Sequence, residues 1–145
     1  MATVFTIDAS VFVAACRPSE SGCAGCRELL RLVRQEIVPL IEPAILPVEI
    51  AAALARAGGA VAWATGYAES VIALPYLTMV GLDERFSRRA IGIATQHRLR
   101  AADALYVTVA AQYGAHLVTL DDEQLRRAPA AVRACKPEAA AALLK

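Results

Sequence analysis

Apolar residues in this chain fall into two kinds of segment. Four short stretches are almost continuously apolar and rich in β-branched or aromatic residues: 3–8 (Thr3-Val4-Phe5-Thr6-Ile7-Asp8), Val38 to Ile41, Tyr76 to Val80, and Ala115 to Leu120. Each is too short for an amphipathic helix and reads as a buried strand. Between them the spacing changes to the i, i+3, i+4 stripe of helices. A short helix follows Asp8-Ala9-Ser10 and ends near Arg17-Pro18, and after the loop Ser19 to Gly22 a second carries Cys26, Leu29, Leu30, Val33 and Ile37 on one side and Arg27, Arg31 and Arg34 on the other. Pro47 begins a third helix, which Gly58-Gly59 stops, and Trp63 to Leu74 forms a fourth. Asp83 caps a helix running towards His97, and the stretch from Asp103 to Tyr113 is closed by Gly114. A last strand near Val132 to Cys135 and an alanine-rich helix after Pro137 complete the chain.

Strands that are continuous apolar runs, alternating with helices, predict a mostly parallel sheet of four to five strands covered by helices on both faces. The expected fold class is α/β. At 145 residues the chain has the length of one domain, spanning 1–145, with no repeat or linker to divide it.

Composition narrows the function classes. Apolar residues make up 57%, yet no run approaches the roughly 20 residues of a membrane span, and the amino terminus lacks the order of a signal peptide. A cytoplasmic protein without membrane contact is expected. Fifteen basic and fourteen acidic residues leave a formal charge of +1, so attraction to nucleic acid has to come from local arrangement. The apolar surplus also points to surface covered by a partner, and a homodimer is expected. Cys16, Cys23, Cys26 and Cys135 do not make a disulfide framework. Cys23-Ala24-Gly25-Cys26 has redox or zinc spacing without a second pair, and its helical register places it with the core. His97 and His116 lack partner spacing and read as structural. Trp63, Tyr67 and Tyr106, at helical spacing among alanines, read as packing or dimer surface more than as base-stacking platforms.

Four acids stand out by position. Asp8 and Asp121 each end a strand run, Asp103 opens a helical stretch, and Glu49 lies in the early turns of another. Any one of them is explained as a helix cap or a first-turn partner of the dipole. Together they converge, because in an open parallel sheet the carboxyl ends of the strands share one edge, where ligands bind. Two carboxylates about 4 Å apart repel by roughly 4 kcal/mol at an effective dielectric of 20, so such a cluster calls for protons, cationic side chains or a divalent ion. An all-oxygen set suits Mg²⁺ or Mn²⁺ and disfavours zinc. Arg98, Arg100, Arg126 and Arg127 lie near Asp103 and Asp121 in sequence and are candidates for contacts to phosphate or to an acidic partner segment.

Thr6-Ile7-Asp8-Ala9-Ser10, Pro47-Val48-Glu49-Ile50-Ala51-Ala52-Ala53-Leu54, Ala102-Asp103-Ala104-Leu105-Tyr106 and Leu117-Val118-Thr119-Leu120-Asp121 occur in an order that resembles PIN domains, and among them the small VapC toxins of toxin–antitoxin pairs. The resemblance covers essentially the whole chain. It implies a three-layer PIN-like fold and a metal-dependent endoribonuclease with Mg²⁺ or Mn²⁺ as cofactor. Asp8, Glu49, Asp103 and Asp121 would be both catalytic residues and metal ligands, with Ser10 as a supporting hydroxyl. The run Asp121-Asp122-Glu123 departs from a single fourth acid. Asp121 is assigned to the cluster because neighbouring residues of a strand point to opposite sides, leaving Asp122 to cap the helix or sit in an outer shell. The partners implied are an RNA substrate and a cognate antitoxin. Two other classes compete with this reading: a catalytically silent PIN-like module that binds RNA or protein, and a phosphoacceptor or phosphatase domain with Asp8 as nucleophile. The second lacks a further aspartate after Asp8-Ala9-Ser10 and a lysine after a late strand.

Overall fold

The computed structural model describes residues 2–145. Five strands, β1 (Phe5–Ile7), β2 (Leu40–Pro43), β3 (Leu77–Val80), β4 (His116–Val118) and β5 (Ala134–Cys135), form one sheet in the order β3-β2-β1-β4-β5. Every neighbouring pair is parallel. The helices between them are α1 (Ala9–Ala15), α2 (Cys23–Glu36), α3 (Leu46–Arg56), α4 (Val61–Ile72), α5 (Glu84–His97), α6 (Ala101–Tyr113), α7 (Asp122–Arg127) and α8 (Pro137–Ala142). This is the α/β architecture expected from the continuous apolar runs. β1 and β4 at its centre are buried through Phe5, Ile7, Leu117 and Val118, and α6 lies against β1, β2 and β4 with Tyr106, Val107 and Ala110 inward. Helices α1, α2 and α3 make a second packed group around Val11, Phe12, Leu29, Val33, Ile50 and Leu54.

The strand order places the topological switch point between β1 and β4, on either side of which the crossovers run in opposite directions. Asp8 follows β1 directly, and Thr119 to Asp121 follow β4, so both loops open at the same sheet edge. The register Ile7↔Val118 sets Asp8 beside Thr119.

Several boundaries differ from the sequence reading, each for a physical reason. Helix α2 buries Cys23, Cys26, Leu29, Leu32 and Val33; Ile37 is left exposed as a left-handed C-cap at φ 51°. Helix α6 starts two residues before Asp103, which is its third residue and not its cap, because Arg98 turns the chain at φ 54° and buried Leu99 anchors the entry. Arg98 adopts a conformation that a non-glycine residue enters only at some cost, so its side chain gives no warning of the turn. Strand β2 runs on past Ile41 through Glu42, a residue at which an apolar pattern stops.

Candidate active site

Asp8 is buried at the end of β1, and its carboxylate is held by two hydroxyls. Ser10 Oγ donates to Asp8 Oδ2 at 2.6 Å and Thr119 Oγ1 donates to the same oxygen at 2.9 Å. The hydroxyls are fixed in turn: Ser10 Oγ accepts from the Leu120 amide at 3.3 Å and Thr119 Oγ1 from the Asp121 amide at 3.0 Å. A chain of hydrogen bonds therefore locks the β1 loop to the β4 loop through Asp8. Burial raises the Asp8 pKa, and the two hydroxyls act in the opposite direction.

Glu49 reaches the same region from the first turns of α3. Tyr106 Oη, rising from α6, donates to Glu49 Oε1 at 2.7 Å. Tyr106 is fully buried, so this hydroxyl is spoken for by Glu49 and is no base-stacking surface. The Glu49 pKa is raised, mainly by burial and further by the charges of Asp8 and Asp103, while Tyr106 and Arg100 pull it back. Asp103 is raised by burial, opposed by Arg100, and raised again by Asp8 and Asp121. These mutual influences mark the four acids as one electrostatic neighbourhood.

Arg100 bridges two of them. Its Nε donates to Asp103 Oδ2 at 3.0 Å and its Nη2 makes a very close ion pair with Asp121 Oδ2. Asp121 also caps α7, its Oδ1 accepting from the Gln124 amide at 3.0 Å. That corrects the division of labour expected between the two aspartates. Asp121 is the last non-helical residue, with extended backbone, so the cap is its own; Asp122 is the first residue of α7, its side chain 80% exposed and paired with Lys136 at 3.4 Å. The two carboxylates have different partners, Arg100 for Asp121 and Lys136 for Asp122.

The remaining arginines stand outside the cluster. Arg127 pairs with Glu123 at 2.7 Å and donates to the Arg98 carbonyl at 2.6 Å, bracing α7 against the turn that leads to Arg100. The side chains of Arg98 and Arg126 are exposed. Cys23 and Cys26 are buried free thiols, and burial pushes Cys26 up to about 11, which keeps it protonated. His116 packs edge-on against Phe5. Trp63, partly exposed on α4, tilts against Tyr67, whose hydroxyl donates to the Phe12 carbonyl at 3.0 Å.

One acid at the site escaped the sequence reading. Glu42, wholly buried on β2, accepts the Ile7 amide at Oε1 at 2.6 Å, and its Oε2 has no partner. Its pKa is pushed well up by burial and by the charge of Asp8, against the Ile7 amide. The signal was a charged residue inside what becomes a four-residue strand paired along its whole length with β3.

The donor chemistry fits a hard divalent cation: four carboxylates from β1, α3, α6 and the loop after β4, with no thiol or imidazole among them. Among the described residues, no three acid, histidine or cysteine side chains are drawn close enough to grip an ion as they stand. Arg100 and Tyr106 hold three of the four carboxylates in their present positions.

A PIN domain model matches residues 5–130, and the chain belongs to the PIN domain family. PIN domains are generally nucleases that use divalent metals. Solved structures agree on the fold. PAE2754 from Pyrobaculum aerophilum is 25% identical, with a TM-score of 0.68 over 99% of this chain and 98% of that one. VapC20 of Mycobacterium tuberculosis, a toxin that cleaves the sarcin-ricin loop, is 15% identical, with a TM-score of 0.72 over 90% and 99% of the two chains. The FitAB complex bound to a DNA fragment contains a chain 18% identical, with a TM-score of 0.70 over 94% and 96%. Among curated proteins none matches the chain. No helix among the described residues is long and apolar enough to cross a membrane.

Proposed function

We propose that this protein is a Mg²⁺- or Mn²⁺-dependent endoribonuclease of the VapC type, the toxin of a toxin–antitoxin pair, with Asp8, Glu49, Asp103 and Asp121 as its metal-holding acids. The observation that carries this reading is the convergence of the four carboxylates at one sheet edge, with Asp8, Glu49 and Asp121 each held by a partner from another element and Asp103 by Arg100 at the start of its own helix. A bound divalent ion would supply Lewis acidity, activating a water and offsetting charge on the phosphodiester.

The protein's own groups prepare that chemistry. Ser10 and Thr119 fix the orientation of Asp8, leaving Oδ1 free of side-chain partners. Tyr106 orients Glu49 through Oε1 and leaves Oε2 free of side-chain partners. The capping bond at Asp121 Oδ1 fixes that carboxylate with Oδ2 turned to Asp103. The exposed guanidinium groups of Arg98 and Arg126, on either side of this edge in sequence, suit contacts to the RNA backbone.

Two features suit the partners. A groove of about 600 Å³ between α1, α2 and α4 has a floor of Phe12, Val33, Leu40 and Val71 and a rim bearing Arg27, Arg31 and Arg34, which fits an amphipathic acidic segment of an antitoxin. Val48, Val61 and Ile72, all exposed on α3 and α4, provide apolar surface for a homodimer in the cytoplasm.

The test is digestion of total RNA by the purified protein with Mn²⁺ or with EDTA, read by mapping the new ends. Discrete ends that appear only with the metal are expected. Intact RNA under both conditions, with a protein that binds RNA or a partner tightly, would favour the silent binding module instead.

A further inference from the structure

We infer that Arg100 is a built-in rival of the metal ion: its guanidinium is the resting counter-charge of Asp103 and Asp121, and a divalent cation has to displace it to take those carboxylates. The inference rests on the proposed metal-dependent reading and adds a control on how much metal that site requires.

The geometry is specific. Arg100 is the N-cap residue of α6, yet its side chain makes no capping bond; it folds back over the first turn to Asp103, three residues on, and across to Asp121 in the β4–α7 loop. It therefore joins two separate chain segments at the Oδ2 atom of each. At Asp121 this is the one oxygen left, since Oδ1 is already committed to the cap of α7. An ion taking Asp121 would need that Oδ2 atom, so guanidinium and ion exclude each other by position there and compete by charge at Asp103. Lys136, the N-cap residue of α8, pairs with the outward-facing Asp122 and does not substitute for it.

Arg100 is also free to leave. Its side chain is 65% exposed, whereas that of Asp103 is 11% exposed, so displacement moves the guanidinium into water without opening the core. The turn that delivers Arg100 is rigid: Arg98 is fixed in the left-handed conformation with its carbonyl bonded to Arg127, and Leu99 is buried. The device is thus a swinging side chain on a fixed hinge. Ion pairs whose guanidinium stays in water are screened, and two of them set a threshold for the ion without locking it out.

The competition predicts a gain, which a merely damaging substitution does not give. Mn²⁺ binding is measured by calorimetry in the wild type, Arg100→Gln and Arg100→Lys, with Asp103→Asn as control, alongside melting in EDTA. Arg100→Gln should bind Mn²⁺ about three- to tenfold more tightly than the wild type, since the ion no longer has to break two screened ion pairs. Arg100→Lys, which keeps the charge but lacks the fork that spans both carboxylates, should fall between them. In EDTA, Arg100→Gln should melt below the wild type, and Mn²⁺ should reverse the order. Equal or weaker Mn²⁺ binding by Arg100→Gln, with ordinary binding by the wild type and none by Asp103→Asn, overturns the rivalry and leaves the metal site standing. Absence of Mn²⁺ binding in the wild type and in both Arg100 variants overturns the metal site, and the rivalry with it.

Discussion

Glu42 Oε1 accepts the Ile7 amide at 2.6 Å, so a side-chain carboxyl closes the β1–β2 ladder one residue before Asp8. Phe5 N–H reaches the Pro39 carbonyl in the regular manner, and the next rung of a parallel ladder would carry Ile7 N–H to the Ile41 carbonyl. That carbonyl is taken instead by Thr6 Oγ1 at 2.8 Å. The end of β1, and with it the backbone that presents Asp8, is therefore held from one side by Glu42 and from the other by the Asp8 N–H to Val118 carbonyl bond of 2.9 Å.

Because burial raises the Glu42 pKa, the folded protein holds this proton more tightly than the unfolded chain does. The sign follows: its contribution to stability is fully present below the ordinary glutamate value of 4.5 and is lost as pH rises from there towards the elevated folded value. Glu42→Gln keeps an acceptor for the Ile7 amide without a group to ionise, so it should match the wild type at about pH 4.5 and melt higher at about pH 8 in EDTA. Glu42→Ala strands a buried N–H and should cost about 1–3 kcal/mol at either pH. Denaturant titrations at the two pH values check both; a wild type more stable than Glu42→Gln at pH 8 would mean that Glu42 is ionised and paired in the fold.

Asp121 and Asp122 should separate cleanly. Asp121→Asn retains a good capping residue for α7, so its stability should fall by less than about 1 kcal/mol while Mn²⁺ binding and cleavage drop sharply. Asp122→Asn removes only an exposed pair with Lys136 and should stay within about 0.5 kcal/mol of the wild type with near-normal cleavage. Cleavage rates at saturating Mn²⁺ decide it, and a larger loss in Asp122→Asn would put the fourth acid one residue later.

Tyr106→Phe isolates the support of Glu49. Without the hydroxyl, a carboxylate already raised by burial loses the bond that lowers it, so its pKa should climb further. The acidic limb of the cleavage rate against pH should therefore move to higher pH, with the alkaline rate nearly restored. An unmoved acidic limb would show that Glu49 does not limit the rate as pH falls.

Much of this site was legible before the fold was known, because strand-end acids in a parallel α/β chain announce themselves by position: Asp8 after Phe5-Thr6-Ile7 and Asp121 after Leu117 to Leu120 needed only the strand pattern. Pro47 at a first helical turn likewise placed Glu49. What was hidden depends on long-range pairing. Glu42 looks like the polar stop of a strand until β3 pairs with it, and its use of the Ile7 amide joins residues 35 apart in sequence. Arg100 reads as one of several basic residues before Asp103 until the left-handed turn at Arg98, which no glycine advertises, starts α6 early and swings the guanidinium back onto the acids. Thr119 sits inside an apolar run as one more β-branched strand residue, and its hydroxyl acquires a role only from Asp8, 111 residues away.

In the proposed nuclease the four acids serve the chemistry, and the buried carboxylate of Asp8 burdens the fold. Asp8→Asn tests both most directly, with metal-dependent RNA cleavage and melting in EDTA measured on the same preparation. The substitution removes a buried carboxylate whose pKa burial has raised, while an amide oxygen can still accept from Ser10 and Thr119. Cleavage should be lost at saturating Mn²⁺, with a melting temperature in EDTA equal to or above that of the wild type. Wild-type cleavage by Asp8→Asn would contradict the proposed role of Asp8.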